Sequence, residues 1–225
     1  AKFNIPNIKG IDGSQNCDIC FADDALSGDH YIGKRVVVVG AAATGVETAI
    51  WVATKGAMRP KVAKFLAFFD ALDEVDAMKR TYKGPRKVTL LEKLPNIATS
   101  VGKSTKWVFR EEMQKLGIDI HAQADIYEFK DNSIYYYDRS DESGGSQPEE
   151  KVISDINTII LATGVLPNRD FYNSIRTLIK KKQKSGKISK KPRVELIGDA
   201  KKIGSALNAI HAGFRSAYKL KKYEK

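Results

Sequence analysis

The chain has 225 residues, of which 42% are hydrophobic, and it carries a net charge of +11 at pH 7. This length and apolar content suffice to bury a substantial core, which excludes a minimal domain. No apolar run approaches the roughly 20 residues that a bilayer span needs, and no signal peptide is visible. We therefore expect a soluble, cytoplasmic protein without a membrane partner.

Residues 33–49 carry the most informative pattern, a valine run followed by glycines and small residues. The run 36–39 is typical of a buried parallel strand that is covered by helices on both faces. Gly40 allows a sharp turn, and Gly45 allows the next helix to pack closely on the sheet. The free amides and the positive dipole end near Thr44 would face an anion, most simply a pyrophosphate. The pattern predicts a nucleotide site at Gly40, Ala41, Ala42, Ala43, Thr44 and Gly45.

Ala42 departs from the usual G-x-G-x-x-G spacing, because it replaces the middle glycine. Its methyl group would sit where the backbone and a pyrophosphate approach most closely. Alanine is the smallest intrusion, so we expect binding to be weakened rather than abolished. The alternative is the same strand, turn and helix without a ligand.

Residues 57–84 interrupt the pattern that follows this helix. A dinucleotide-binding fold needs a second strand that ends in an acidic residue, about 20 residues after the glycines. The strand 87–91 and Glu92 meet that description but come late. Between them and the glycines, apolar residues recur at helical spacing, which predicts an inserted helical hairpin. Its aromatic residues could dock a partner, although we expect a small satellite core instead.

Glu92 would accept a hydrogen bond from a ribose 2′-hydroxyl and would repel a 2′-phosphate, which favours NAD over NADP. Lys93 lies beside it and keeps NADP as an alternative. Glu92 could also be a solvated carboxylate at the end of its strand.

The rest of the chain continues the α/β pattern. A helix is predicted over 103–116, ended by Gly117, with a short strand at 118–121. Strands at 124–130, 133–138 and 151–155 suit an antiparallel meander, and 139–150 is predicted to be a mobile loop. A buried strand from 158 ends in the turn Ala162-Thr163-Gly164.

Two further patterns suggest chemistry only weakly. Cys17 and Cys20 form a C-x-x-C pair, but no further zinc ligands accompany them, so free thiols and no metal site are expected. Seven lysines lie within 180–191. Because no aromatic residues are interleaved with them, we predict a solvated, mobile loop and no nucleic-acid partner.

Six segments together resemble the C-terminal part of the 2,4-dienoyl-CoA reductase family, which includes 2-enoate reductases and trimethylamine dehydrogenase-like NADH:flavin oxidoreductases. The segments occur in the family order and cover most of the chain outside the insert and the lysine-rich stretch. They are 33–49, 87–93, 102–107, 161–164, 194–200 and 209–215.

The resemblance implies an α/β fold: a Rossmann-like, three-layer NAD(P)-binding domain of parallel sheet, antiparallel three-stranded meander and helices, with the hairpin inserted and an incomplete FAD-domain remnant. The predicted parts are a connector from a missing FAD-domain half (1–32), the NAD(P)-binding domain (33–165), a basic linker (166–192) and a C-terminal strand and helix (193–225). In such enzymes FMN and a 4Fe-4S cluster belong to an N-terminal barrel, which this chain lacks.

The resemblance also adds candidate cofactor contacts. Glu47 would lie near the nicotinamide, Thr163 and Gly164 would close the nucleotide domain, and Gly198 and Asp199 would reach FAD in the intact protein. An exposed helix carboxylate is an equal reading of Glu47, and a turn residue is an equal reading of Asp199.

We therefore expect part of an NAD(P)H:flavin oxidoreductase that passes hydride from NADH to FAD. FAD would then pass electrons through the iron-sulfur centre to FMN and an unsaturated enoate or enoyl-CoA. No catalytic residue is assigned, and the chain alone should be inactive, because the flavin carries the redox chemistry. The alternative is an ADP-binding or structural domain without a catalytic role.

Overall fold

A computed structural model describes residues 1–12, 18–140, 147–189 and 192–220. They fall into two compact units. The sheet unit comprises Ile5–Gly164, and the terminal unit comprises Ala1–Asn4 with Val165–Lys225. Within the described ranges, no helix combines the length and the apolar character of a bilayer span.

The sheet unit contains eight described strands: β2 (Asp18–Phe21), β3 (Arg35–Val39), β4 (Lys87–Leu91), β5 (Asp119–His121), β6 (Ala124–Lys130), β7 (Ser133–Asp138), β8 (Glu149–Ile153) and β9 (Thr158–Leu161). Five of them form a parallel sheet with the strand order β2-β9-β3-β4-β5. The other three form an antiparallel meander, β6-β7-β8, which is a second layer.

Five helices belong to the same unit: α1 (Ala22–Ser27), α2 (Ala43–Thr54), α3 (Pro60–Phe68), α4 (Glu74–Tyr82) and α5 (Lys103–Leu116). Gly117 ends α5 in the left-handed region, with φ of 64°. The Rossmann-like three-layer fold and the inserted hairpin are thus confirmed.

The valines of β3 explain why their run is unbroken. Val36 and Val38 face one core, which contains the buried sides of α1, α2 and α5. Val37 and Val39 face the other core, which contains meander side chains such as Tyr136. The prediction that helices cover both faces of this strand is therefore wrong for the second face. The meander supplies that layer, because successive strand residues point to opposite faces and both faces are buried.

The first 32 residues are more than a connector. β2 pairs in parallel with β9 along its whole length, and α1 packs behind it. Cys20 lies in β2, and burial, with Asp18 and Asp24 nearby, raises the pKa of its thiol to about 12. Cys17 lies outside the described residues, and within the described part of the chain no group of histidines, cysteines and acids could hold a metal.

The insert leaves and rejoins the fold at one place, the C-terminal end of α2. The amide of Gly84 donates to the carbonyl of Ala53 at 2.7 Å. The Arg86 guanidinium donates to the carbonyls of Ile32, Gly33 and Lys55, at 2.9 to 3.3 Å. These bonds hold β4 beside β3 despite the extra residues between them, which is why Glu92 keeps its place.

The prediction that the insert forms a small satellite core is wrong. Only the small side chains of Ala63 and Ala77 are buried in the hairpin helices. Leu66 and Leu72 are half-buried, and the other large apolar side chains are 45% to 78% exposed: Val62, Phe65, Phe68, Phe69, Val75, Met78 and Tyr82.

The terminal unit pairs β1 (Lys2–Phe3) with β10 (Val165–Leu166) and contains two long helices, α6 (Asp170–Lys184) and α7 (Ala206–Leu220). The predicted linker is thus largely helix, and the lysines up to Lys184 lie on α6 rather than in a loop. Lys190 and Lys191 lie outside the described residues. The C-terminal helix is present, but 193–197 pair with no strand among the described residues.

Asp138 gives the meander a measurable pH dependence. Its carboxylate accepts from Lys151 Nζ at 2.7 Å, which lowers its pKa to about 2. A lowered pKa stabilises the folded state above the ordinary value of 3.8, and this contribution is lost as pH falls through about 2. Asp138→Asn should therefore lower the free energy of unfolding at pH 6 by about 1 kcal/mol, and the deficit should vanish near pH 2.

Urea unfolding of both proteins across this pH range measures the difference. Asp29→Asn, at an exposed carboxylate, is the control. A deficit that stays constant down to pH 2 would contradict the assigned ion pair.

Candidate nucleotide site

The glycine turn at the carboxyl edge of the sheet has little space for side chains. Gly40 has φ of 99°, and a Cβ there would lie 2.6 Å from the carbonyl oxygen of Ala162. A Cβ on Gly45 would lie 1.8 Å from the carbonyl oxygen of Gly40. Both positions therefore require glycine, the first for its backbone conformation and the second for close packing of α2.

Glu92 joins this turn to the end of β4. Its carboxylate Oε2 accepts from the amide of Ala41 at 2.6 Å, and Oε1 accepts from the amide of Leu94 at 2.9 Å. The side chain is half-buried at this junction. Each carboxylate oxygen can accept a further hydrogen bond, so the group retains capacity for ribose hydroxyls.

The first turn of α2 presents free backbone donors. Within the part of the chain that the structure describes, the amides of Ala42, Thr44 and Gly45 have no acceptor. The amide of Ala43 donates to Ser100 Oγ at 2.9 Å. The Ser100 hydroxyl keeps its own proton, so it can donate in place of the Ala43 amide that it occupies. Such a set at a helix N-terminus is suited to an anion.

Ser100 was missed by sequence reasoning. It is 57 residues from Ala43, in the stretch between β4 and α5. The same stretch is fixed to the turn by the amide of Ala98, which donates to the carbonyl of Ala41 at 2.7 Å. A serine before a helix ordinarily indicates a cap of that helix, so no local signal connects Ser100 to α2.

Ala42 precedes α2 and is exposed, with φ of −70° and ψ of −172°. This extended conformation suits any residue, so Ala42 adds no strain. Its methyl group affects only what approaches the turn from outside.

The Lys93 side chain forms an ion pair within the protein. Its Nζ lies 2.7 Å from Asp125 Oδ1, and Arg139 binds the other oxygen of the same carboxylate at 2.7 Å. The Lys93 hydrogen bond is the largest cause of the lowered pKa of Asp125. The lysine ammonium is therefore held against Asp125, a carboxylate that it shares with Arg139.

The remaining candidates divide between the two units. Thr163 adjoins Gly40, since a Cβ on Gly40 would lie 3.5 Å from Thr163 Cα, and exposed Gly164 follows with φ of 78°. Glu47 is exposed on α2. Gly198 and Asp199 lie in the terminal unit, where Asp199 accepts from the amide of Gly204 at 3.2 Å. That bond is the turn role expected of the residue type.

Comparison with known proteins agrees with this geometry. A family model described as "Pyridine nucleotide-disulphide oxidoreductase" matches residues 1–213. The chain belongs to this family. The match runs through both the sheet unit and most of the terminal unit.

Two curated relatives are similar to the chain. One is a "Metal reductase" from Desulforamulus reducens, 26% identical over 196 residues, which are 87% of this chain and 26% of that protein. The other is an "NADH oxidase" from Thermoanaerobacter brockii, 24% identical over 217 residues, which are 96% of this chain and 26% of that protein. The chain thus spans about a quarter of the length of each.

Solved structures share the fold. A 2-naphthoyl-CoA reductase complex with 2-naphthoyl-CoA aligns with a TM-score of 0.64 and 22% identity, over 94% of this chain and 24% of that one. Histamine dehydrogenase from Rhizobium sp. 4-9 aligns with a TM-score of 0.63 and 15% identity, over 91% and 26%.

The Glu92 contacts predict a stability effect that is independent of any ligand. Glu92→Ala removes the acceptor of two backbone amides, so we expect a loss of about 2 kcal/mol in the free energy of unfolding. Asp29→Ala, at an exposed carboxylate, should change it by less than about 0.5 kcal/mol. Urea unfolding of the three proteins measures both values, and equal stability of all three would contradict the role of Glu92 in the turn.

Proposed function

We propose that the chain is the nicotinamide-dinucleotide-binding part of a flavin-dependent oxidoreductase. The observation that carries the proposal is the meeting of three features at one edge of the sheet: the glycine turn, the free amides of α2 and the Glu92 carboxylate. The family, which is named for its pyridine nucleotide, supports the same assignment.

In this proposal the amides of Ala42, Thr44 and Gly45 bind the pyrophosphate, together with the Ser100 hydroxyl. Glu92 accepts from the adenosine ribose hydroxyls through the free lone pairs of its carboxylate. Thr163 and Gly164, beside Gly40, border the other side of the turn. Glu47 is proposed to orient the nicotinamide end.

We propose NADH rather than NADPH as the ligand. A 2′-phosphate would meet the negative charge of Glu92, and the Lys93 ammonium is already paired with Asp125. The name "NADH oxidase" of one relative agrees with this choice.

When bound, the nicotinamide would supply a hydride, which we propose passes to FAD. Electrons from the reduced FAD would then pass one at a time through a 4Fe-4S centre to FMN, which would reduce an unsaturated enoate or enoyl-CoA. The FAD, FMN and cluster would be held by parts of a longer protein, since this chain spans about a quarter of its relatives. Gly198 and Asp199 are proposed to reach that FAD.

One feature of the terminal unit supports an absent FAD-domain half. α7 exposes four large apolar side chains at helical spacing, 59% to 70% accessible: Leu207, Ile210, Phe214 and Tyr218. We propose that the missing half packs on this face, because a long helix gains most of its stability from a covered apolar side.

The second candidate function is an ADP-binding or structural domain. It is favoured by Ala42, whose methyl group stands at the mouth of the turn, and by Ser100, which already occupies one amide. In that case adenosine and phosphate contacts alone would determine the affinity.

Calorimetric titration with NADH, NADPH and ADP separates the two functions. We expect NADH to bind at least tenfold more tightly than NADPH, because of the Glu92 charge, and more tightly than ADP, because the nicotinamide contributes. Glu92→Ala should weaken NADH binding and reduce the ratio of NADH affinity to NADPH affinity. Asp29→Ala should change neither the NADH affinity nor this ratio. Equal affinities for ADP and NADH would contradict the first function and indicate an ADP-binding domain, and no binding of any of the three would contradict it and indicate a structural domain.

Ala42→Gly tests the crowding at the turn. Removing the methyl group should raise the affinity for NADH several-fold without unfolding the protein, because the pyrophosphate can then approach the backbone. Ala71→Gly, in the exposed tip of the insert, is the matched control in the same titration. An unchanged affinity of Ala42→Gly would show that the methyl group does not contact the ligand.

A further inference from the structure

The inserted hairpin exposes an aromatic group that the nucleotide site does not use. Phe65, Phe68 and Phe69 contact one another at the end of α3, with ring centroids 4.7 Å apart for Phe65–Phe69 and 5.1 Å for Phe68–Phe69. They are 59%, 78% and 61% exposed. Three adjacent exposed phenylalanines form an apolar patch of the kind that marks an interaction site. We call them the aromatic knob.

The same unit contains an apolar cavity of about 780 Å³ between α4 and α5. Its apolar lining is Tyr82, Trp107, Val108 and Leu116. Lys79, Lys83 and Lys115 also line it, with Glu111 and Glu112, and Glu111 bonds Lys115 at 3.1 Å. An apolar cavity with two aromatic walls is suited to an aromatic side chain from outside.

Charge is divided along the hairpin. The knob is followed at the tip by four acids and no base within 70–76: Asp70, Asp73, Glu74 and Asp76. The rest of the hairpin carries six basic residues and no acid within 57–64 and 77–84: Arg59, Lys61, Lys64, Lys79, Arg80 and Lys83. The amide of Met58 donates to the carbonyl of Arg80, and this bond brings the two basic segments together at one end of the hairpin, which we call the basic end.

Helix dipoles do not account for this division. Acids in the first turn of α4 and bases in its last turn are favourable. However, Arg59 directly precedes α3 and Lys61 lies in its first turn, where cations are unfavourable. The basic end is therefore not explained by the stability of the helix that carries it.

We infer that two copies of this chain associate through their hairpins in an antiparallel, two-fold arrangement. The acidic tip and aromatic knob of each copy meet the basic end and the cavity of the other. Two-fold symmetry makes this contact twice, because the same surface on each copy provides both halves. The knob and cavity are separated by about one helix of nine residues, roughly 13 Å.

The opposite charges at the two ends favour a second copy over a partner of unknown charge. An antiparallel pair places four acids of each copy beside six bases of the other, whereas a parallel pair would place like charges together. The nucleotide site is not part of the interface, so the inference does not depend on the proposed function.

Sedimentation equilibrium of the 225-residue chain at several concentrations tests the inference. We expect a dimer whose dissociation constant rises at least about 30-fold in Phe68→Ser, as for a central interface residue. Phe171→Ser, which removes a 79% exposed phenylalanine from the terminal unit, should leave it unchanged. A monomeric wild type, or a dimer that both variants leave intact, would overturn the inference; the knob would then belong to another partner.

Charge reversal gives a second test that does not depend on apolar residues. One variant reverses the charge of the tip (Asp70→Lys with Asp76→Lys), and a second reverses the charge of the basic end (Lys79→Glu with Lys83→Glu). Each variant alone should be a monomer, because like charges then meet in its dimer. Mixing the two variants should restore a dimer containing one copy of each. Failure of the mixture to associate, with both variants folded by circular dichroism, would overturn the antiparallel arrangement.

Discussion

The site depends on the contact between the Glu92 carboxylate and the amide of Ala41. A parallel sheet brings the ends of β3 and β4 to one edge, but it does not fix the orientation of the turn that follows. The 2.6 Å hydrogen bond from Ala41, with the bond from Leu94 to the other oxygen, holds the turn against the end of β4. Because the same acid fixes the turn and is proposed to bind the ribose, we expect changes in it to affect stability and nucleotide preference together.

The insert shows how this contact survives an interruption of the fold. The insert leaves after Lys55 and returns before Arg86, and the guanidinium of Arg86 binds the Lys55 carbonyl. β4 therefore pairs with β3 along its whole length, with Arg35 opposite Lys87. The hairpin contributes none of its phenylalanines to either core of the sheet unit, and these side chains are exposed.

Local signals made much of this structure predictable. The valine run, the glycines and the helix ended by Gly117 are each read within a few residues, and the late position of Glu92 could be corrected by helical periodicity. Contacts between distant residues could not be read in this way, as Ser100 shows. Apolar spacing predicted the two helices of the insert but not that Phe68 would be exposed. The helix α6 was not predicted, because a lysine-rich segment has the composition of a solvated loop as well as that of an exposed helix, and its sequence alone does not distinguish the two.

The most direct test of the account is to follow backbone amides by nuclear magnetic resonance while NADH is added to the chain. If the dinucleotide rests on the glycine turn, the largest chemical-shift changes will fall on the amides of Ala42, Thr44 and Gly45, with a second group at Leu94 beside the Glu92 carboxylate. Changes confined to other parts of the chain, or none at saturating NADH, would contradict a nucleotide site at this edge of the sheet.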